Sequence, residues 1–368
     1  MASIAKRPNG AWRAKYYDPD GKEHARHFPR KVDAQRWLDG IQGELARGEY
    51  VDPGAGKVTF REYAEQWRAR QVHRPSTAAQ VVTHLERHVY PVVGDRPMGE
   101  VRRSELQAWV KGRSEVLAPA TVIVIWRWVS TIFRAAVDDG VVRVSPCRGV
   151  KLPKRERAQV VPLETEVVQG LVDALPERYR AAVFLAATTG MRQGEVFGLT
   201  VDRVDFLRRK VRVDRQLITM QGAPPVLAPP KTEASRRTIP LPQVAVDALA
   251  AHLERYGPGA DGLVFTNEDG EPIRRTAFSG VWRPAAASVG IPAGTGMHAL
   301  RHYYASLLIR HGESVKVVQV RLGHASAAET LDTYSHLWPD SEDRTRAAVD
   351  EVLGAERDQS GTAEVVSV

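Results

Sequence analysis

The sequence predicts a mainly α-helical chain with small β elements, arranged as a small sheet-and-helix module, a helical domain and a mixed α/β domain. Three observations lead to this class: strand-like alternation near the N-terminus, helical apolar stripes after residue 58, and connectors rich in Pro, Gly or basic residues. A chain of 368 residues is long enough for two or three domains. We predict domains over residues 1–52, 58–150 and 162–355, and a disordered tail over 356–368 because its residues are small and polar.

The N-terminal module is predicted from two strand patterns and one helical stripe. Residues 11–17 alternate in the manner of a strand, residues 18–21 (Asp-Pro-Asp-Gly) are a turn signal, and residues 22–28 make a second strand. A helix is expected from about residue 31 to 47. Its apolar stripe consists of Val32, Trp37, Leu38, Ile41 and Leu45.

Four helices are predicted in the next domain, after a Pro- and Gly-containing linker over residues 51–57. Thr59 and Glu62 form a capping box for the first helix, and Ser76 and Ser104 are expected to cap the second and third. The fourth helix is predicted over residues 121–137, with Gly140 near its end. The expected core residues are Phe60, Tyr63, Trp67, Val81, Leu85, His88, Leu106, Trp109, Val110, Ile125, Val129, Ile132 and Phe133.

The C-terminal half is predicted to be helical with one short hairpin. It follows a basic, Pro-containing connector over residues 151–157. We expect one strand over residues 210–217, a partner strand over 236–240, and Lys231 in the loop between them. Gly190 is expected to end one helix just before Arg192 begins the next. A last helix is expected within residues 341–353, carrying Ala347, Val349 and Leu353.

Composition favours a polyanionic partner. There are 52 Lys and Arg residues against 44 Asp and Glu, a net charge of +8 and a sequence pI near 9.6. A basic enzyme without nucleic-acid contacts is the alternative at this point.

Cys147 is the single cysteine, which excludes an intramolecular disulfide framework and a Cys-rich zinc site, and we expect it to be a buried, inert thiol. The N-terminus has no apolar core of the signal-peptide kind and no run approaches a membrane span, so a cytoplasmic, nucleoid-associated protein is predicted.

Polar residues in the C-terminal half have the functional groups needed to break a phosphodiester without a metal. Two arginines can hold the non-bridging oxygens of one phosphate through paired N–H donors. Lysine and histidine side chains can move protons, and a tyrosine can attack phosphorus. The residues are Arg192, Lys231, His298, Arg301, His324 and Tyr334.

The order and spacing of these residues carry more information than any one of them. His298 precedes Arg301 by three positions, His324 follows Arg301 by twenty-three, and the tyrosine comes ten residues later. The stretch over residues 188–338 resembles the catalytic domain of the tyrosine recombinases, the phage-type integrases. The matching segments are Thr-Gly-Met-Arg-Gln-Gly-Glu at 189–195, Pro-Lys-Thr at 230–232, His-Ala-Leu-Arg-His at 298–302, Leu-Gly-His at 322–324 and Thr-Tyr-Ser-His at 333–336.

The resemblance implies a role for each residue. Tyr334 would be the nucleophile that forms a 3′-phosphotyrosyl intermediate and frees a 5′-hydroxyl, so that rejoining needs no ATP. Arg192 and Arg301 would neutralise the charge that develops on the pentavalent phosphorus. Lys231 would be the general acid for the leaving 5′-oxygen, with Lys210 as a rival of the same residue type.

The histidines and one carboxylate complete the expected site. His298 would accept or share the tyrosine proton and His324 would hydrogen bond with the phosphate. Glu195 lies three residues after Arg192 and is expected to orient it. Neighbouring residues of the same types are interpreted as packing or structural groups: Tyr303, Tyr304, His302 and His336.

The resemblance also implies partners. They are double-stranded DNA attachment sites, three further copies of the chain in a homotetramer on DNA, and an excisionase or a host DNA-bending protein. No cofactor, metal or membrane is expected; zinc at the histidines is disfavoured because the arginines repel a cation.

The N-terminal module resembles an arm-binding domain whose sheet enters the major groove, with a packing hairpin as the alternative. Expected DNA contacts, each with a solvated charge as the alternative, are Arg13, Lys15, Arg26, Arg68, Arg70, Arg74, Lys111, Lys154 and Arg155.

Three rival functions stay open at the level of sequence. A chromosome-dimer resolvase resembles the last two domains but lacks the N-terminal module. A catalytically idle DNA-binding protein could share the fold, although the expected catalytic residues are all present. A type IB topoisomerase shares the chemistry, and the integrase-like N-terminus disfavours it.

Overall fold

The computed structural model describes residues 2–48, 50–155, 159–220, 222–338, 346–347 and 349–353. The chain divides into two compact units, residues 1–157 and 158–368. The described part is mainly helical with small sheets, as the sequence predicts.

The N-terminal module of the first unit is a three-stranded antiparallel sheet with one helix against it. Its elements are β1 (Ser3–Lys6), β2 (Trp12–Tyr17), β3 (Glu23–Phe28) and α1 (Lys31–Ala46). Ala14 and Tyr16 of β2 pack on Ala34 and Leu38 of α1, and this small core is separate from the rest of the unit. The strand β1 was not predicted, because four residues with one large apolar side chain give no alternation signal. Val32 was expected in the apolar stripe and is instead 58% exposed.

The central part of the first unit is a helical cluster. It comprises α2 (Phe60–Arg70), α3 (Pro75–His84), a π-helical continuation (Leu85–Gly94), α4 (Arg103–Ser114) and α5 (Pro119–Asp138). The capping box of α2 is confirmed, since the Thr59 hydroxyl accepts from the Glu62 amide over 3.2 Å. The caps predicted for α3 and α4 were wrong. Pro75 occupies the first turn of α3, where its missing N–H costs nothing, and α4 starts before Ser104.

Helix α5 is the hydrophobic centre of this cluster. Its buried face includes Ile125, Val129, Ile132 and Phe133, the four residues expected there. Among the described residues it is the one helix long and apolar enough to cross a membrane, which the sequence interpretation had not anticipated. The core helix of a folded domain has the same character, and this helix packs in the core of the cluster.

The linker between the two parts is held by specific contacts. Asp52 accepts from the Gly54 amide over 2.7 Å and pairs with Lys22 of the N-terminal module over 3.0 Å. A Cβ on Gly56 would lie 3.1 Å from the Cα of Gly99, so glycine permits the close approach of the two backbones. The linker is therefore packed against both of its neighbours and is not a free tether.

Cys147 lies near the end of the central cluster and is half-buried, in keeping with the expected inert thiol. Burial raises the pKa of its thiol to about 11, so the thiolate is disfavoured at neutral pH.

The second unit packs helices around a small three-stranded sheet. The sheet order is β4 (Val204–Asp205), β5 (Lys210–Val213) and β8 (Arg237–Pro240), all antiparallel. The pairing of β5 with β8 was predicted. The strand predicted over residues 210–217 is in fact two, because β6 (Gln216–Ile218) leaves β5 and pairs with β7 (Val226–Ala228) in a separate hairpin. The helices are α6 (Thr165–Ala174), α7 (Glu177–Thr189), α8 (Gln193–Phe197), α9 (Gln243–Tyr256), α10 (Arg275–Ser288), α11 (His298–Arg310), α12 (Val315–Leu322) and α13 (Ala327–Tyr334).

Helical residues recur near the C-terminus at 346–347 and 349–353, within the predicted last helix. Val349, Val352 and Leu353 are exposed there. The predicted start of that helix at residue 341 and the tail predicted over 356–368 lie outside the described residues.

Candidate active site

Three arginine side chains meet at the C-terminal end of α12. The main-chain carbonyls of residues 321, 322 and 323 accept hydrogen bonds from Arg237, Arg301 and Arg192, over 2.7, 2.6 and 3.4 Å. The last carbonyls of an α-helix have no partner within the helix, and that end carries a partial negative charge that favours cations. The end of α12 therefore holds three guanidinium groups in one place.

A glycine shapes this helix end. Gly323 follows α12 with φ at 66°, a left-handed conformation that favours glycine. A Cβ at this position would lie 2.9 Å from the carbonyl oxygen of Ala234. The turn therefore comes close to the segment before β8, which carries Arg237.

Arg301 is the most enclosed of the three arginines. The residue is 2% exposed, and its second hydrogen bond goes to the carbonyl of Gly190, over 2.8 Å, at the end of α7. Burial, with the nearby charges of Arg192 and Arg237, lowers the pKa of Arg301 to about 9. The guanidinium is still charged at neutral pH.

Glu195 is the carboxylate around which the cluster is organised. Its oxygens accept from the backbone N–H of Arg192 (2.9 Å), from Arg192 Nη1 (2.8 Å), and from Arg237 Nη1 (3.2 Å) and Nη2 (2.8 Å). Burial alone would raise the pKa of Glu195, but the charge of Arg237 and then of Arg192 outweighs it, and the pKa lies below its ordinary value. Glu195 is therefore ionised, and its carboxylate bonds to both the backbone N–H and the guanidinium of Arg192.

The loop after β7 joins the cluster through Ser235. The Ser235 hydroxyl contacts Arg192 Nη1 over 3.4 Å and the Thr232 hydroxyl over 2.9 Å, and its carbonyl accepts from Arg237 Nη1 over 2.9 Å. Lys231 precedes Thr232 and is exposed. The exposed amine thus belongs to a loop whose far end is fixed to the arginines.

Tyr334 ends α13 and is buried, with 1% of its surface exposed. Among the described residues, the hydrogen-bond partner of its hydroxyl is His302 Nδ1, at 2.8 Å. The ring of His324 lies nearly parallel to the tyrosine ring, with centroids 6.4 Å apart. Burial raises the pKa of Tyr334 to about 12, although the charge of Arg301 opposes the shift. The phenol is protonated at neutral pH.

The histidines around the tyrosine are neutral bases. Burial, followed by the charge of Arg301, lowers the pKa of His324 to about 4, and its Nδ1 bonds with the Thr330 hydroxyl over 2.8 Å. Burial, followed by the nearby His298 and Arg301, lowers the pKa of His302 to about 4. Burial, followed by the charge of Arg301, also lowers the pKa of His298. The rings of His298 and His302 are perpendicular with centroids 4.8 Å apart.

Most residues interpreted as packing or structural groups behave that way. The Tyr303 hydroxyl donates to the Thr165 hydroxyl over 3.2 Å, and the Tyr304 ring fills the space where a Cβ on Gly190 would lie, 2.5 Å away. His336 bonds to a backbone carbonyl over 2.8 Å. Lys210 is exposed on β5, opposite Pro240.

Two residues in the site were missed as functional candidates. His302 was interpreted as structural, although its position four residues after His298 places both on one face of α11. Arg237 was predicted only as part of the strand over residues 236–240. It lies two residues before the buried Ile239 in β8, on the same face of the strand, and this period of two was the available signal that it points inward.

The candidate DNA contacts of the N-terminal module lie on two different faces. Arg13 and Lys15 project from the sheet face away from α1, where both pair with Glu23, over 2.7 and 3.1 Å. Arg26 is in register with the buried Ala14 and therefore belongs to the other face, with its guanidinium 5.4 Å from the centre of the Phe28 ring. The three candidates therefore do not share one face of the sheet.

The remaining candidates are scattered over the first unit. Arg68 is held by Glu65 over 2.6 Å, and Arg70 lies 3.8 Å from Asp139. Arg74 is the residue before Pro75 at the start of α3. Lys111, Lys154 and Arg155 are exposed.

The chain matches three family models in order. They are the N-terminal domain of phage integrases over residues 2–47, the central domain of phage integrases over 60–152, and the phage integrase family over 140–340. The integrase of Mycobacterium phage FRAT1 is 28% identical over 311 residues, covering 80% of this chain and 91% of that protein. The tyrosine recombinase XerD of Mycobacterium leprae is 31% identical over 261 residues, covering 65% and 76%.

Solved structures share the fold. An integrase of the Tn1549 transposon in complex with a circular intermediate DNA gives a TM-score of 0.69 at 22% identity, covering 80% of this chain and 99% of that one. A lambda integrase tetramer bound to a Holliday junction gives a TM-score of 0.59 at 19% identity, covering 89% and 96%.

Proposed function

Because the chain belongs to the phage integrase family and is a DNA strand-exchange enzyme, we propose that it cuts and rejoins specific DNA sites through a 3′-phosphotyrosyl bond to Tyr334. The reaction would integrate or excise a phage or another mobile element. The observation that carries the proposal is the buried Tyr334 hydroxyl, in a pocket of neutral histidines close enough to Arg301 for its charge to act on the phenol.

The proposed phosphate site uses the arginine cluster. Arg192 and Arg237 pair with Glu195, and Arg301 lies near enough for its charge to interact with theirs. Three guanidinium groups thus share the Glu195 carboxylate, and the cluster keeps a net positive charge in a mostly buried place. Arg192 and Arg301 would bind the non-bridging oxygens and stabilise the additional charge of the transition state. Since the helix ends already fix both guanidiniums, little reorganisation is needed when the phosphate enters.

Proton transfers are assigned to the other site residues. Lys231 would protonate the leaving 5′-oxygen, which suits an exposed amine on a loop anchored at Ser235. His324 would hydrogen bond with the phosphate through Nε2, because its Nδ1 is engaged with Thr330. His298 lies beside His302, and we keep it as a group that shares the tyrosine proton.

The proposed partners are double-stranded attachment sites and further copies of the chain. The sheet face that carries Arg13 and Lys15 would bind arm-type DNA, and the central helical cluster within residues 58–150 would bind the core site. A homotetramer would hold two duplexes, and the exposed residues Val349, Val352 and Leu353 would dock on a neighbouring protomer. Truncation after Asp340 is expected to weaken tetramer formation on DNA; a fully active truncated tetramer would contradict this docking.

An excisionase or a host DNA-bending protein would determine whether the reaction integrates or excises the element. The protein would work in the cytoplasm on the nucleoid.

The experiment compares wild type and Tyr334→Phe on a nicked half-site taken from DNA that flanks the gene. We expect a covalent protein–DNA adduct on a denaturing gel with wild type alone. An adduct with the variant would mean another nucleophile, and Tyr303 and Tyr304 would be tested next. Binding by both proteins without an adduct would favour an idle DNA-binding protein. Relaxation of supercoiled DNA that lacks any special site would favour a type IB topoisomerase, and activity confined to chromosome-dimer sites would favour a resolvase.

A further inference from the structure

The geometry around Tyr334 singles out a histidine that the proposed scheme does not use. His302 Nδ1 lies 2.8 Å from the Tyr334 hydroxyl oxygen, which is within reach for direct proton transfer. The rings of His302 and Tyr334 are tilted by 65° with centroids 5.6 Å apart, so they do not stack, and the histidine contacts the tyrosine hydroxyl through the edge of its ring. His298, the residue expected to take the proton, lies beside His302, with ring centroids 4.8 Å apart.

We infer that His302 is a further catalytic residue, the direct acceptor of the Tyr334 proton. This inference rests on the proposed role of Tyr334 as nucleophile. In the cutting step the Tyr334 O–H bond breaks and its proton passes to His302 Nδ1, while the phenolic oxygen forms a bond to phosphorus. The bond from phosphorus to the 5′-oxygen breaks, and that oxygen takes a proton from Lys231. In the rejoining step the same transfers run in reverse.

The two groups start in the protonation states that this step needs, and because the pKa of His302 lies below that of Tyr334, the proton moves together with formation of the bond from oxygen to phosphorus. With its pKa raised to about 12, Tyr334 enters the reaction as a phenol and needs an acceptor. With its pKa lowered to about 4 by burial and then by its neighbours His298 and Arg301, His302 is neutral and has one unprotonated ring nitrogen. The groups that face it are His298 on its own helix, Arg301 beside it, His324 and Tyr334. A bound phosphate adds negative charge, which stabilises the imidazolium formed by the transfer.

Two substitutions separate proton acceptance from positioning. His302→Asn keeps an acceptor oxygen close to the position of Nδ1 but cannot take up a proton, and His302→Ala removes both functions. We expect His302→Asn to slow adduct formation on the nicked half-site by about 100-fold or more, the usual size of a general-base effect. His336→Asn is the matched control and should stay within about 3-fold of wild type, because within the described part of the chain this histidine bonds to a backbone carbonyl.

Two further readouts respond to proton transfer and not to structure. Added imidazole should partly restore adduct formation by His302→Ala. Replacement of Tyr334 by a more acidic fluorotyrosine should shrink the deficit of His302→Asn, because a phenol that ionises readily needs less help. A His302→Asn protein that cuts within about 3-fold of wild type would overturn the inference, as would equal deficits with tyrosine and fluorotyrosine. Adduct formation by Tyr334→Phe would instead overturn the proposed nucleophile, so the two failures are distinguishable.

Discussion

Glu195 and Arg237 form an ion pair that is almost closed to water, with 2% and 3% of their side chains exposed. Removing one partner of such a pair leaves an uncompensated buried charge, which costs more than the intact pair contributes. Here Arg237 also donates to the backbone at residues 235 and 321, so it ties β8 to α12 as well as to α8. Its loss should affect stability and the position of Arg192 together.

We therefore expect Arg237→Ala to lower the free energy of unfolding of the second unit by about 3–5 kcal/mol. The matched control is Arg236→Ala, the preceding residue, whose guanidinium is 52% exposed and pairs with Glu233 over 3.6 Å. That change should stay within about 0.5 kcal/mol, as is usual for exposed ion pairs. Urea unfolding of both full-length variants measures the difference, and equal losses would show that the pair is not what stabilises the site.

The buried histidines should make stability depend on pH. Folding lowers the pKa of His302 and of His324 from 6.5 to about 4, so the unfolded chain binds protons in this window that the folded chain does not. Their contribution is fully present above about pH 6.5 and is lost as pH falls toward 4. The slope is at most about 1.4 kcal/mol per pH unit for each histidine, and partial exposure reduces it.

The test compares urea unfolding at pH 7 and pH 4.5 for wild type, His302→Asn and His311→Asn. His302→Asn should show a smaller loss of stability on acidification than wild type. His311 is exposed just after α11, and its replacement should leave the pH dependence unchanged. An identical acid response in all three proteins would mean that His302 is not protonated differently in the folded and unfolded chains.

At the scale of elements, the close packing of β6 on α8 depends on glycine. A Cβ on Gly198 would lie 2.5 Å from the amide nitrogen of Leu217 and 2.8 Å from the carbonyl carbon of Gln216. Both atoms are backbone, so the hairpin would have to move. The Gln216 side chain also donates to the Pro229 carbonyl over 3.0 Å, two residues before Lys231, and such a movement would reach that loop.

Gly198→Ala should destabilise the second unit by about 1–3 kcal/mol, the usual cost of overpacking, and should slow adduct formation. Gly280→Ala is the control, since Gly280 lies exposed within α10 and a Cβ there meets nothing within 4 Å. Alanine is the better helix former, so this change should stabilise by about 0.5–1 kcal/mol. Thermal unfolding shows whether each change raises or lowers the stability. Stabilisation by both changes would show that β6 adjusts to the new Cβ without a cost in stability.

Elements with a local signal were the ones that the sequence predicted well. The capping box at Thr59, the break at Gly190 and the apolar stripe of α5 depend on residues close in sequence, and each is confirmed. The β6–β7 hairpin was missed because the division of residues 210–217 into two strands depends on α8, to which β6 packs. The contact of His302 with Tyr334 joins residues 32 positions apart, so the sequence could place each on a helix but not bring them together.

Over the molecule as a whole, the direction in which basic side chains project matters as well as their number, and the N-terminal sheet carries basic residues on both of its faces. Arg13 and Lys15 share Glu23 on the open face of the N-terminal sheet, in register with Ala5, Ser3 and neighbouring β3 residues. On DNA both cations can exchange this carboxylate for phosphates. Arg26 and Lys6 lie on the opposite face, in register with Ala14 and Trp12. The two pairs carry the same charge and differ in the face from which they project.

Because the two pairs carry the same charge, the salt dependence of DNA binding can test which face of the sheet contacts DNA. Each phosphate contact contributes about 0.9 to the slope of log affinity against log salt concentration. Arg13→Ala/Lys15→Ala should therefore reduce the slope for a long flanking DNA fragment by about 2, whereas Arg26→Ala/Lys6→Ala should leave it close to wild type. Both double variants should form the adduct on a core half-site at the wild-type rate, because the changed residues lie outside the second unit. Equal reductions in slope by the two variants would mean that the module attracts DNA through its total charge, and that the open sheet face has no special role.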